Sequence, residues 1–440
     1  MKYETSKSLI LIVLVLFSLV LTWNLWTYQP NYNTLDSRNY VAEVTLSEKQ
    51  ELDEIIRPDL ALFHLENKHY GTTNATDLDL LIKEISRWSF YDVKNYSNDF
   101  QDLKSLMHGN GNVEIVFPGE VPIDLYRNIL KFEDKNIPSF NFDRIIIKVE
   151  GLKEDSGTVY FVSADKKQVY MSHVTPSIII EFNKNFFMNA EKYPAYFAVE
   201  ATEKRTVFIP EGEMEMMEYK YLPFVLNSEA FKDALFSNPS FVQKSPIPHG
   251  EEFTDVSSKM TVNDDSNMLV YVNPTAEEKY TVNSNDLLKR SIDYINEHGG
   301  WTDPYRYVSN DEINHSVTFQ LYSSDGFPVF NDKGLTEIKE VWGQDEIIKY
   351  IRPNISLELP LTTETKKVTV PSGREVFNYL ESKKSFRKDL LRQVVLGYRM
   401  ERGTDENKLI LLEPAWFYLY DQRWGQISMD DLGGLMHGLE

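Results

Sequence analysis

The chain's eight histidines are its most versatile chemical groups: His64, His69, His108, His173, His249, His298, His315 and His437. Imidazole can hold a metal or move a proton near neutral pH, but a metal pair needs two donors on one face. Only His64 and His69 lie close together, in His64-Leu-Glu-Asn-Lys-His69. Five residues apart on a helix, they are rotated by about 140°. On a strand, odd spacing sends them to opposite faces. The expectation is a surface turn before Gly71 and no metal pair.

The remaining chemistry is sparse. Among oxygen donors, Asn263-Asp-Asp-Ser-Asn267 resembles a calcium loop in composition. It lacks the EF-hand glycine and distal glutamate, so it reads as a hairpin turn. Asp430-Asp431, followed by Gly433-Gly434, reads as a frayed terminus. No G-x-S-x-G elbow, H-E-x-x-H, P-loop or strand-linked G-x-G-x-x-G occurs. Paired carboxylates for glycoside cleavage meet in space, and 67 acidic residues give no way to choose a pair from sequence. The chain has no cysteine, which removes disulfides, thiolate zinc sites, iron–sulfur clusters and Cys nucleophiles together. The expectation is no catalytic residue, no cofactor and no metal.

These residues sit in a chain of 440 with formal net charge −21, which excludes a phosphate-binding nucleic-acid surface. With 42% hydrophobic and 13% aromatic residues it can build packed cores, in about three folded units. The strongest physical signal is the stretch 9–28. From Leu9 to Leu21 only Ser18 is polar, and Trp23, Trp26 and Tyr28 follow as an aromatic belt before Pro30. Twenty residues in a helix span about 30 Å, the thickness of a bilayer core. No alanine occurs before Ala42 to make an A-x-A-like cleavage site, so an uncleaved anchor is expected rather than a signal peptide. Lys2 and Lys7 precede it and acidic residues dominate after it. The positive-inside rule then places residues 1–8 in the cytoplasm and the rest outside the cell membrane, single-pass. Ser18 and Thr22 lie four apart on one helix face, where hydroxyls allow close interhelical contact. Single hydroxyls are also tolerated there by bonding back to their own backbone. With Trp23 and Trp26 they are the candidate transmembrane contact.

The elements outside the anchor form an α+β pattern, with strands in runs rather than βαβ units. Helices are expected over 47–57, 77–88, 98–107 and 121–132. Strands are expected over 112–118, 145–149, 159–162 and 169–171. A weak repeat follows in the second half. One copy reads as a helix from Asn283-Ser-Asn-Asp286, a strand 317–322, a turn at Ser324-Asp-Gly326 and a return strand 327–330. The other has a capping box at Ser372-Gly-Arg-Glu375, a strand 394–400, a polar turn 402–407 and a return strand 409–416. Each return strand carries a proline, Pro328 or Pro414, which must lie at an edge, a strand start or a bulge.

The segment Thr22-Trp-Asn-Leu-Trp-Thr-Tyr-Gln-Pro30 resembles the start of the YycH (WalH) family. Further likenesses are Glu114-Ile-Val-Phe-Pro-Gly119, Asp325-Gly-Phe-Pro-Val-Phe330 and Leu412-Glu-Pro-Ala-Trp-Phe417, in the same order along the whole chain. The resemblance implies a non-enzymatic, membrane-anchored regulator of a two-component system controlling cell-wall metabolism. It would act on a WalK-like sensor histidine kinase together with a YycI-like single-pass protein, with a homodimer as a further partner state. It also implies an elongated extracytoplasmic region of antiparallel sheets and packed helices, its last two domains related to each other and to YycI. The corresponding division is a cytoplasmic tail 1–8, a transmembrane helix 9–28, and domains 29–197, 198–280 and 281–440. The family supplies no catalytic residue to carry over. Two other readings stay open: a binding module for an extracellular wall fragment or peptide, and an anchored cell-wall hydrolase.

Overall fold

Ten mostly antiparallel strands organise the first part of the chain in the computed structural model. The structure describes residues 15–16, 18–19, 47–153, 156–276, 284–358, 360–361, 364–403, 409–428 and 432. The strands are β1 (Leu60–Leu65), β2 (Lys68–Thr72), β3 (Ser89–Asn95), β4 (Asn112–Pro122), β5 (Lys131–Phe132), β6 (Asn141–Lys153), β7 (Ser156–Ser163), β8 (Gln168–Val174), β9 (Ala195–Thr202) and β10 (Arg205–Pro210). Their order across the sheet is β10-β9-β2-β1-β4-β6-β7-β8-β3-β5, and only β3 and β5 run parallel. Helices α1 (Leu52–Ile55), α2 (Ala75–Ile85), α3 (Leu103–His108), α4 (Ile123–Tyr126) and α5 (Pro176–Asn185) accompany it.

The helices show what set their bounds. In α2, Leu78, Leu81 and Ile85 are buried, the face expected from periodicity, and the Asn74 side chain accepts the Thr76 and Asp77 N–H groups to start it. The helix expected over 98–107 begins only at Leu103, because Asp102 caps the Lys104 and Ser105 N–H groups. The charged stretch 47–57 forms only the single turn α1, with Ile55 its one buried side chain, and Pro58 follows shortly after. Residues 121–132 were expected as one helix. Instead β4 continues to Pro122, α4 makes one turn, and Lys131–Phe132 pairs with β3. Pro122 lacks a donor and suits a position at the N-terminal boundary of that turn.

The second part is built on two larger sheets and the two-stranded pair β12–β22. Its strands are β11 (Met214–Tyr221), β12 (Phe224–Val225), β13 (Gln243–Ile247), β14 (Gly250–Thr254), β15 (Lys259–Asn263), β16 (Met268–Val272), β17 (Tyr305–Asp311), β18 (Ser316–Leu321), β19 (Val329–Phe330), β20 (Glu337–Trp342), β21 (Ile347–Pro353), β22 (Ile355–Ser356), β23 (Lys366–Val370), β24 (Leu391–Arg402), β25 (Ile410–Tyr420) and β26 (Arg423–Ile427). Helices α6 (Ser228–Leu235), α7 (Ser284–Glu297) and α8 (Gly373–Ser382) accompany them. One sheet has the order β13-β14-β15-β16-β21-β20-β18-β17. The other is β19-β24-β25-β11-β23, with β26 on β25. The capping box of α8 forms as expected: Ser372 N–H donates to Glu375 Oε2 at 2.8 Å and Glu375 N–H donates to Ser372 Oγ at 3.3 Å. Residues 263–267 close the β15–β16 hairpin.

The two copies of the suspected repeat differ in pairing. After Gly326 the chain makes one bridge, Tyr322 to Pro328, and then β19 leaves to pair in parallel with β24. The second copy instead returns directly, β24 on β25, over its whole length. Pro328 precedes a strand start. Pro414 lies in β25 between the stretch paired to β11, which ends at Leu412, and the stretch paired to β26, which begins at Trp416. It therefore occupies a local open edge, where a missing N–H costs little.

Residues 43–440 form one compact unit and 1–42 another. In the latter, residues 15–16 and 18–19 are helical, and the rest of 9–28 lies outside the described residues. Among the described residues no helix is long and apolar enough to cross a membrane. The cap candidate Asn283 and the Asp430-Asp431 pair, expected as a frayed terminus, also lie outside them.

Candidate functional site

His64 and His69 face each other across a tight hairpin. The two-residue loop Glu66-Asn67 joins β1 to β2, and both residues take positive φ, 51° and 63°. That is the backbone of a turn whose twist matches paired strands. The Glu66 N–H donates to Asn110 Oδ1 at 2.6 Å, which holds the loop against the next segment. The register places His64 opposite His69 and Leu62 opposite Gly71. Directly opposed residues share a face of the sheet. The odd spacing that separates two residues on one strand here brings them together, because the turn expected before Gly71 falls between them.

Two more elements complete the group. β4 pairs with β1 on its other side, with Leu62 opposite Glu114 and His64 opposite Asn112, so Glu114 joins the histidine face. α3 delivers His108 at its last turn. The chain is turned back into β4 by Gly109, Gly111 at φ 78°, and the Asn112 side-chain amide donating to the Leu106 carbonyl at 2.8 Å. Phe208 from β10 packs over the group, its ring centroid 4.9 Å from those of His69 and His108.

Glu114 is the centre. Its side chain is fully buried. Oε2 lies 2.8 Å from His108 Nδ1 and 3.3 Å from His64 Nε2, while Oε1 accepts from the Arg144 guanidinium of β6. Burial opposes its charge, but His108 and Arg144 outweigh burial and hold the carboxyl well below the usual range. A carboxylate only accepts, so both ring nitrogens donate to it. His64 Nδ1 is 2.8 Å from His69 Nδ1. Burial first, then the neighbouring His64 and His108, push His69 down to about 4, so it is neutral at physiological pH. Three of these residues, His64, His108 and Glu114, bring their donor atoms within 4.8 Å of one another. That is an N₂O donor set of the kind that holds divalent transition metals. His108 and Arg144 also line a cleft of about 450 Å³ carrying both signs of charge, with Glu120, Asp143, Lys166 and Arg205.

Sequence reasoning weighed His64 and His69 and set them aside, and it did not single out His108, Glu114 or Arg144 as a site. The signal that was there is the Glu66-Asn67 pair between two strand-like runs, which sets a hairpin register. Of the residues expected in a membrane contact, Ser18 is helical, and Thr22, Trp23 and Trp26 lie outside the described residues.

Comparison with known proteins decides the family. The model for the YycH protein N-terminal domain matches residues 4–190, and that for the YycH protein C-terminal domain matches residues 204–432. The chain belongs to the YycH family. The resemblance seen in its motifs is thereby established, and the His64–His69–His108–Glu114 group falls within the match to the YycH N-terminal domain. A curated relative, the two-component system WalR/WalK regulatory protein YycH of Bacillus subtilis (strain 168), is 27% identical over 435 residues, covering 94% of each chain. The crystal structure of YycH from Bacillus subtilis has a TM-score of 0.72 at 23% identity, covering 87% of this chain and 99% of that one. The shared YycH fold is α+β with several antiparallel sheets.

Proposed function

We propose that this YycH-family chain is a non-enzymatic regulator of a WalR/WalK-type two-component system. One observation carries the reading: the match to the Bacillus subtilis regulator runs over 94% of both chains, so no domain of that protein lacks a counterpart here. The apolar stretch 9–28 supports an N-in membrane anchor, with residues 29–440 extracytoplasmic. In this reading signalling passes through the membrane helix or the outer region. Preferential binding to one kinase conformation shifts its population by the difference in affinity. Coupling of about 1–3 kcal/mol changes the balance roughly five- to 150-fold.

In this proposal the helix carries much of the coupling through Ser18, Thr22, Trp23 and Trp26, and the outer domains hold a YycI-like partner. The test replaces residues 9–28 with an unrelated membrane helix and follows transcription of the target genes. Loss of regulation with normal protein level supports the helix contact; unchanged regulation rejects it and moves the coupling to the outer domains.

A further inference from the structure

We propose that His64 Nε2, His108 Nδ1 and Glu114 Oε2 form a three-ligand site for a divalent transition metal of the zinc class. Three elements converge there: the end of β1, the end of α3 and the start of β4. His64 and Glu114 are buried, and His108 keeps 8% of its side chain exposed. Zinc bonds of about 2.0–2.1 Å in a tetrahedron leave ligand atoms roughly 3.3 Å apart. The spacing from Glu114 Oε2 is 3.3 Å to His64 Nε2 and 2.8 Å to His108 Nδ1, and all three donor atoms lie within 4.8 Å of one another, so an ion fits after adjustment of the three side chains. Two imidazoles and one carboxylate favour zinc-like ions over calcium or magnesium, which prefer oxygen alone.

The surrounding groups are arranged as an outer shell. A metal-bound histidine usually donates its other ring N–H to a fixed acceptor. His69 Nδ1, 2.8 Å from His64 Nδ1 on the opposed strand, becomes that acceptor when His69 carries its proton on Nε2. Arg144 engages Oε1 of Glu114 and leaves Oε2 to face both imidazoles. Binding replaces the two N–H donors that now point at Oε2. The proton leaves His108 Nδ1 for its other nitrogen or for solvent, while His64 shifts its proton from Nε2 to Nδ1 and donates it to His69, whose own proton moves from Nδ1 to Nε2. The cleft that His108 lines gives ion and water a route in. The consequence is a clamp on the hairpin, α3 and β4 whose strength follows extracellular metal concentration, because a ligand bound only by the native state stabilises it.

The test uses untagged full-length protein in detergent, stripped with chelator and titrated with Co²⁺ as the probe and with Zn²⁺ in equilibrium dialysis. The site predicts about one equivalent of either ion, visible cobalt bands of a low-coordinate nitrogen–oxygen environment, and a rise in Tm. His108→Ala, at a helix end, and Glu114→Gln abolish all three. His69→Gln keeps the stoichiometry but weakens binding by about 10- to 100-fold, as loss of an outer-shell partner does. Should the Glu114 variant fail to fold, His108→Ala decides. The proposal is overturned if the wild-type protein retains no saturable equivalent, which would make the group a metal-free hydrogen-bond network. It is equally overturned if folded His108→Ala binds as the wild type does.

Discussion

His64 and His69, five residues apart, place their Nδ1 atoms 2.8 Å from each other across the Glu66-Asn67 turn. The contact depends on a backbone that ordinary residues avoid. Asn67 holds φ 63°, which costs a bulky L-residue roughly 1–2 kcal/mol. Asn67→Val is therefore expected to lower unfolding stability by about that amount, with Asn67→Gly near wild type. Denaturant midpoints of the two variants measure this; equal midpoints would mean that the turn does not set the register.

The Glu114–Arg144 pair makes a second prediction. Removing one partner of a buried ion pair strands the other charge, at about 3–5 kcal/mol. Arg144→Met should cost that much, and Glu114→Gln less, because the amide can still accept from a ring nitrogen or from Arg144. The pH dependence has a definite sign. The folded Glu114 carboxyl lies below its ordinary value of 4.5, so its contribution is complete above that pH and is lost as pH falls. Acid unfolding monitored between about pH 5 and 3 should be shallower in Glu114→Gln than in wild type.

Glu340 gives the opposite sign. Its carboxyl is buried in β20, where Trp342 Nε1 donates to Oε2 at 3.2 Å and Oε1 has no hydrogen-bond partner. Burial pushes it up to about 8, against weaker opposition from Ser291, Trp342 and Arg352. Asp303, buried, and Asp59, half-buried, are each raised to about 6, chiefly by desolvation. A raised carboxyl keeps its proton in the fold after the unfolded chain has lost it. Stability from these groups is complete below about pH 4 and declines as pH rises to about 8, at up to about 1.4 kcal/mol per pH unit for each group. Glu340→Gln should flatten that decline between pH 6 and 8. An unchanged slope in thermal or denaturant unfolding would remove Glu340 as its source.

The α8 cap offers a smaller effect. Ser372→Ala removes an acceptor for the Glu375 N–H and should cost about 1 kcal/mol. Ser372→Asp should recover most of it. If Ser372→Ala is neutral in unfolding, the box contributes nothing beyond water.

That cap was legible in the sequence because its partners lie three residues apart. So was the buried face of α2, where Leu78, Leu81 and Ile85 repeat with helical period. The pairing of β19 was not legible: nothing in residues 327–330 says that the strand bonds to Tyr398 rather than back to β18. The histidine group was hidden for the same reason. His64, His108 and Glu114 meet through strand order and a helix end, and a spacing rule for one strand misplaced His69 because the chain turns between the two residues. Family membership was readable from motifs such as Leu412-Glu-Pro-Ala-Trp-Phe417, which act as a signature without being a site.

The regulator reading is tested most directly by crosslinking the full-length protein in its own membranes and identifying what is recovered with it. The account predicts a sensor histidine kinase and a YycI-like protein, with the kinase lost when residues 9–28 are exchanged for a foreign helix. Recovery of neither protein, together with unchanged target-gene transcription when the gene is deleted, would contradict it.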